Sequence, residues 1–121
     1  MDIQKARKYL LDKEREETEL ADRRFAAAQK VFQEIVQYIK DNYQPSEIRK
    51  CGSLLFREIF TKNSDIDIAV RGIGFKDLLA LHLKFEMKNL FRIHLIDIDS
   101  LGAPDKRVLL KYSEIVHQVS T

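Results

Sequence analysis

Little in this sequence belongs to the residue types that staple or interrupt a chain. Its 121 residues hold no tryptophan, one cysteine, two prolines and four glycines. A lone Cys51 cannot close an internal disulfide, which fits a reducing compartment, and the expected location is the cytoplasm. No apolar run approaches the roughly 20 residues a bilayer span requires. The N-terminus also lacks the apolar stretch of a secretion signal. Charge of one sign is missing too. Twenty-one basic against nineteen acidic residues leave +2, too little to mark a nucleic-acid binder, so an anionic ligand has to be held locally. What is present, 45% hydrophobic and 33% charged residues, fits one soluble globule and excludes a disordered chain or a large multidomain enzyme.

Residues 1–41 contain no glycine or proline and are rich in Lys, Arg, Glu, Gln and Ala, the composition of a long helix. From Leu20 onward Phe25, Ala28, Phe32, Ile35 and Ile39 recur at three-four spacing, so this half is expected to pack on the rest. Upstream, Asp12 to Glu19 is almost wholly charged, and that part projects or meets a partner, including a second copy through residues 1–40. The sequence Asp41-Asn42-Tyr43-Gln44-Pro45-Ser46 ends the helix. We therefore divide the chain into a helical extension, 1–44, and a compact domain, 45–121. In the second part, Glu47 to Cys51 reads as a strand, Ser53 to Glu58 as a short helix or turn, and Asp65 to Val70 as a strand with Ile66, Ile68 and Val70 on one face. Lys76 to Leu90 carries Leu79, Leu83, Met87 and Leu90 at helical spacing. Phe91 to Asp99 reads as an interior strand, and Pro104 opens a last helix that runs to about Tyr112.

Two acidic pairs stand out, Asp65-Ile66-Asp67 and Asp97-Ile98-Asp99. Side chains two apart on a strand share a face, so each pair offers two carboxylates to one hard cation such as Mg²⁺. The first has company twelve residues before Asp65, in Gly52-Ser53. Glycine lets backbone approach a phosphate closely, and the serine hydroxyl with neighbouring amides donates to its oxygens. Phosphates and carboxylates repel unless cations bridge them. A Gly-Ser turn facing paired aspartates thus describes a site for a nucleoside triphosphate with Mg²⁺. His82, His117 and the basic residues Lys106, Arg107 and Lys111 read as solvated surface, and Cys51 as a small core residue.

The segment from Gly52-Ser53 through Asp65-Ile66-Asp67-Ile68-Ala69-Val70 resembles the signature of the DNA-polymerase-beta-like nucleotidyltransferases, in particular the minimal nucleotidyltransferases. The resemblance runs from about Glu47 to His117. It implies an α/β (α+β) fold, a small mixed sheet with helices on one side, here preceded by the long N-terminal helix. It also implies that Gly52 and Ser53 contact the triphosphate of ATP or another nucleotide, and that Asp65 and Asp67 hold two Mg²⁺ ions. Members of this family pair with a helical HEPN-type protein, as a two-component transferase or as the antitoxin that adenylylates its toxin.

Three positions depart from the family pattern. The interval from Ser53 to Asp65 is one residue longer than usual. Arg57 stands where a glycine is usual. His94, in Ile93-His94-Leu95-Ile96, stands where the third carboxylate belongs. An imidazole can take a proton but brings no negative charge to a cation. Asp97 and Asp99 lie three and five residues on, with the wrong strand parity to replace it in a regular strand. The expected activity is transfer of a nucleoside monophosphate, AMP from ATP, to a hydroxyl of a protein or small molecule, with Asp65, Asp67 and His94 in the catalytic site. The alternative is a catalytically impaired module of the same fold that neutralises a helical partner.

Overall fold

The computed structural model describes residues 2–88 and 90–119; Asn89, which falls inside the helix expected from Lys76 to Leu90, lies outside the described residues, as do Met1, Ser120 and Thr121. The long helix α1 spans Ile3–Asn42, 40 residues without a break, or about 60 Å at 1.5 Å per residue. Its start is capped by Asp2, whose Oδ1 accepts from the backbone N–H groups of Gln4 at 2.9 Å and Lys5 at 3.3 Å, and an N-cap of this kind stabilises by about 1 kcal/mol. Ala28, Phe32, Ile35 and Ile39 are buried, with Phe25 packed beside them. Residues 3–20, by contrast, stand almost entirely in solvent, leaving Tyr9, Leu10 and Leu11 exposed. At its other end the helix stops at Asn42, and Tyr43 N–H still reaches back to Ile39 O at 2.9 Å before Pro45 turns the chain.

Four strands form one mixed sheet in the order β3-β2-β1-β4: β1, Glu47–Cys51; β2, Ile66–Arg71; β3, Ile93–Asp97; and β4, Glu114–Gln118. β1 pairs antiparallel with β2 and with β4, whereas β2 and β3 run parallel, which demands a crossover. Helix α2, Phe75–Lys88, supplies it. The alternation of β2 sorts its side chains cleanly. Ile66, Ile68 and Val70 are fully buried in the main core with α1 and α2, while Asp67, Ala69 and Arg71 face the opposite side. On that second face Cys51, Ala69 and Ile98 form a small cluster, met by Leu109 of the last helix, α3, Ala103–Lys111.

Several expectations need adjustment. β4 was not foreseen; the Ile115-Val116 pair that follows the Tyr112-Ser113 turn is its only β-type signal, and it pairs along the edge of β1 with His117 opposite Ile48. The run from Phe91 to Asp99, expected as an interior strand, is an edge strand paired with β2 alone, and it ends at Asp97 because Ile98–Ser100 turns into a 3₁₀ segment. On α2, the side chains that meet the core are Leu78, Leu81 and Phe85, a second stripe beside the one at 79, 83 and 87. Phe75, Leu79, Leu83 and Met87 lie in solvent.

Cys51 is a core side chain, as its sequence context suggests. Burial, followed by repulsion from the Asp67 carboxylate, pushes its thiol up to about 11, so almost no thiolate forms near neutral pH. Iodoacetamide at pH 8 is therefore expected to label Cys51 slowly in the native chain and rapidly in urea, as read by mass spectrometry; rapid native labelling contradicts its place in the core. Truncating α1 tests the division of the helix. Ile35→Ala should cost about 3 kcal/mol through the cavity it leaves, whereas Leu11→Ala should change stability by less than about 0.5 kcal/mol, both from urea denaturation midpoints.

Candidate functional site

The site is assembled at one end of the second face of the sheet, by register. Cys51, the last residue of β1, lies opposite Asp67 on β2, and Asp67 lies opposite His94 on β3. A sheet projects laterally paired residues to the same side, so the end of β1, Asp67 and His94 form a row. Immediately after Cys51 the chain turns into a short 3₁₀ segment, Gly52–Leu55. Gly52 takes φ +65°, and a Cβ at this position would stand 2.4 Å from Asp67 Oδ2. Glycine is thus required here twice, for its backbone conformation and for the carboxylate that leans over it. The sequence reading assigned this glycine to the approach of a phosphate; within the chain, the closest approach it permits is that of Asp67. Ser53, half-buried, follows in the same turn, its carbonyl accepting from Phe56 N–H at 3.1 Å.

The two oxygens of Asp67 are used differently. Oδ2 lies over Gly52, and Oδ1 lies 3.2 Å from His94 Nδ1. A carboxylate partner at Nδ1 selects the tautomer with the proton there, which leaves Nε2 as a proton acceptor. Desolvation raises the Asp67 carboxyl above the ordinary aspartate range, and the neighbouring Asp65 adds to the rise, while His94 pulls it back by charge and hydrogen bonding. Its anionic form is therefore under strain that an added cation relieves.

Asp65 sits one residue before β2 and is held differently. Nε of Arg92 lies 2.9 Å from its Oδ1, off the line of an N–H···O bond, so that this oxygen is closed to solvent without an aligned donor. Arg92 also donates from Nη2 to Asn63 O at 3.0 Å. The other acidic pair is occupied elsewhere. Asp97 Oδ1 accepts from Asp99 N–H at 3.2 Å, and Asp99 lies 3.5 Å from Arg71 Nε. Among the described residues no three His, Cys, Asp or Glu side chains are grouped as a metal cage would group them. The donor set that a hard cation favours is nonetheless there: two carboxylates on either side of buried Ile66, with the charge of one poorly compensated.

A cavity of about 610 Å³ opens beside this row, between the sheet and α3. Its floor includes Gly52, Asp67, His94 and Ile96, and its far wall Leu101, Val108, Leu109 and Tyr112. Asp97 and Asp105 line it as well, and among the described residues no lysine or arginine does. Lys106, Arg107 and Lys111, on α3, are absent from its lining; Lys111 Nζ instead lies 5.4 Å from the centre of the Tyr112 ring. A second cavity of about 460 Å³, between Phe75, Leu78, Leu79 and His82 of α2 and the end of β3, shares His94, Leu95, Asp97 and Ser100 with the first. Sequence reasoning missed the wall that α3 provides, for which the spacing of Val108, Leu109 and Tyr112 was the available sign, and it missed Arg92, for which there was none.

Arg57 explains its own departure from the family pattern. Its guanidinium pairs with Asp22 and donates to Thr18 O at 3.4 Å on α1, tying the loop after Gly52-Ser53 to the long helix. From the same helix, Gln29 Nε2 donates to Leu54 O at 2.7 Å while its Oε1 accepts from Lys50 Nζ at 2.7 Å.

No protein-family model and no curated protein matches the chain. Solved structures do. A toxin–antitoxin complex with AMP-PNP contains a chain that superposes with a TM-score of 0.62 at 21% identity, over 73% of each chain. A complex of the tri-AMPylated Shewanella oneidensis HEPN toxin with its MNT antitoxin gives 0.58 at 20% identity, over 76% of this chain and 73% of that one. A double mutant of the toxin–antitoxin MntA–HpeT gives 0.60 at 18% identity, over 73% of both. At such identities the likeness is one of fold, and the fold agrees with the one that the Gly52-Ser53 and Asp65-Asp67 signature implies, that of the minimal nucleotidyltransferases.

Proposed function

We propose that this chain is a Mg²⁺-dependent nucleotidyltransferase that moves AMP from ATP to a hydroxyl, acting in the cytoplasm as the antitoxin-type member of a pair with a helical HEPN-type protein. The carrying observation is the row Gly52, Asp67, His94 along a cavity whose described lining holds the carboxylates of Asp67, Asp97 and Asp105 and neither lysine nor arginine. A polyphosphate enters such a cavity only with its own cations. Asp65 and Asp67 would hold Mg²⁺, which supplies charge neutralisation on the phosphates. Gly52 and Ser53 offer backbone and hydroxyl donors to the β- and γ-phosphates. Leu101, Val108 and Tyr112 form the apolar wall against which a base can stack.

In the transfer itself the acceptor oxygen bonds to the α-phosphorus and the bond to the bridging oxygen of the β-phosphate breaks, releasing pyrophosphate. The hydroxyl proton goes to Nε2 of His94, which Asp67 orients through Nδ1. This dyad takes over the work of the third carboxylate, and it favours the active reading over the impaired module. A protein acceptor is favoured by the exposed face of α2. Phe75, Leu79, Leu83 and Met87 present an unpartnered apolar stripe, and its first two residues line the side cavity that meets the main one at His94.

At a hundredfold excess over Kd, ATP with Mg²⁺ should raise the melting temperature by about 5–10 °C, and the Asp65→Asn, Asp67→Asn double variant should abolish the shift. No shift in the parent chain refutes nucleotide binding. His94→Gln should keep the shift and slow the release of pyrophosphate from ATP in the presence of the acceptor by about 10²-fold or more; an unchanged rate removes His94 as the base, and no release by the parent chain returns the impaired-module reading. The raised Asp67 carboxyl carries a definite sign for stability. The folded chain binds this proton more tightly than the unfolded chain does, so stability falls as pH rises from the ordinary aspartate value near ~3.9 through the raised one, and stays lowered above it. Asp67→Asn alone should therefore melt higher than the parent at pH 7 without nucleotide, with the difference shrinking as the pH approaches 3, measured by differential scanning calorimetry.

A further inference from the structure

The two acids of the site are not equally open. We propose that Arg92 is a built-in counter-ion that closes Asp65 to free divalent cations, so that metal is taken up together with the nucleotide rather than ahead of it. This inference rests on the nucleotidyltransferase reading of the same site. Three observations carry it. Nε of Arg92 stands 2.9 Å from Asp65 Oδ1, and that oxygen has no access to solvent. The guanidinium is also fixed from its other side, because Nη2 donates to Asn63 O at 3.0 Å, in the loop that leads into Asp65. The backbone at the same position is anchored too, since Ile66 N–H donates to Arg92 O at 2.9 Å, directly beside the Ile66–Ile93 rung that starts the parallel pairing. Arg92 is thereby held against the Asp65 oxygen that would otherwise be free to take a cation.

The contact is strong enough to compete and weak enough to yield. The Arg92 side chain is 68% exposed and Asp65 39%, and ion pairs of such exposure are worth little in water. The missing alignment leaves a lone pair of Asp65 Oδ1 without a hydrogen bond, an oxygen that a metal satisfies better than the guanidinium does. A free cation must displace Arg92 with only two carboxylates in return. A cation arriving on a triphosphate brings phosphate oxygens as further ligands, and the exchange becomes favourable. Arg92 acts on the metal through Asp65 and is a positioning residue rather than a catalytic one.

The test uses Mn²⁺ alone as the probe, titrated into the nucleotide-free full chain with free Mn²⁺ read by electron paramagnetic resonance. Arg92→Gln should bind Mn²⁺ about three- to fivefold more tightly than the parent, the range an exposed ion pair can supply. Arg92→Lys retains the charge and should stay close to the parent. Urea midpoints of both variants should lie near that of the parent, since the side chain is exposed. Equal affinity of Arg92→Gln and parent, weaker binding by Arg92→Gln, or no measurable binding by either, overturns the role of Arg92. The failure of the underlying reading looks different: neither the parent nor Arg92→Gln then shows a melting shift with ATP and Mg²⁺.

Discussion

A carboxylate oxygen of Asp67 occupies the space in which the first side-chain carbon of any residue but glycine would stand. That single steric condition at Gly52 joins the two parts of the site. It lets the turn after β1 fold back against β2 with φ +65°, and so sets the backbone donors of the turn beside the acid instead of a side chain's breadth away. The register of the sheet then extends the row from Asp67 to His94 without any further device. What the strands supply is spacing, and what glycine supplies is the absence of an obstacle.

The sheet divides its labour by face. Ile66, Ile68 and Val70 are fully buried against the long helices, at about 1.5–3 kcal/mol for each large side chain, and this burial holds β2 rigidly in place. The residues between them are thereby free to be polar and strained. Asp67 is tolerated with a raised carboxyl because the neighbours on either side of it in sequence pin the backbone. The second face, covered only in part by α3 and its contact through Leu109, remains open enough for a ligand. Local cost at a site borne by packing elsewhere is the expected pattern for functional residues.

The elements legible in the sequence were those with strong periodicity or strong punctuation. The buried stripe from Phe25 to Ile39, the alternation through Val70 and the stop at Pro45 each leave only one physical solution, and the structure follows them. β4 escaped because an edge strand needs no apolar face; its residues are largely exposed, and pairing with β1 decides its conformation. The exposed stripe of α2 misled for the opposite reason. Apolar residues occupy two adjoining stripes of that helix, and spacing alone does not say which of them the core takes. The Gly-Ser turn and the paired acids were readable because their chemistry restricts residue type. Arg92 was not, since its partner is decided by where β3 begins relative to β2, a tertiary fact.

One consequence of α1 concerns leverage. The helix is stiff, and its inner half is locked to the domain by the core and by Gln29 and Asp22, which grip the loop that follows Gly52. Its outer half, about 27 Å of unsupported rod, consequently keeps a set direction relative to the sheet. Anything that seizes the tip near Tyr9 and Leu10 gains a lever arm whose fulcrum lies beside the Gly52-Ser53 turn, so that a push at one end is felt as torque at the other.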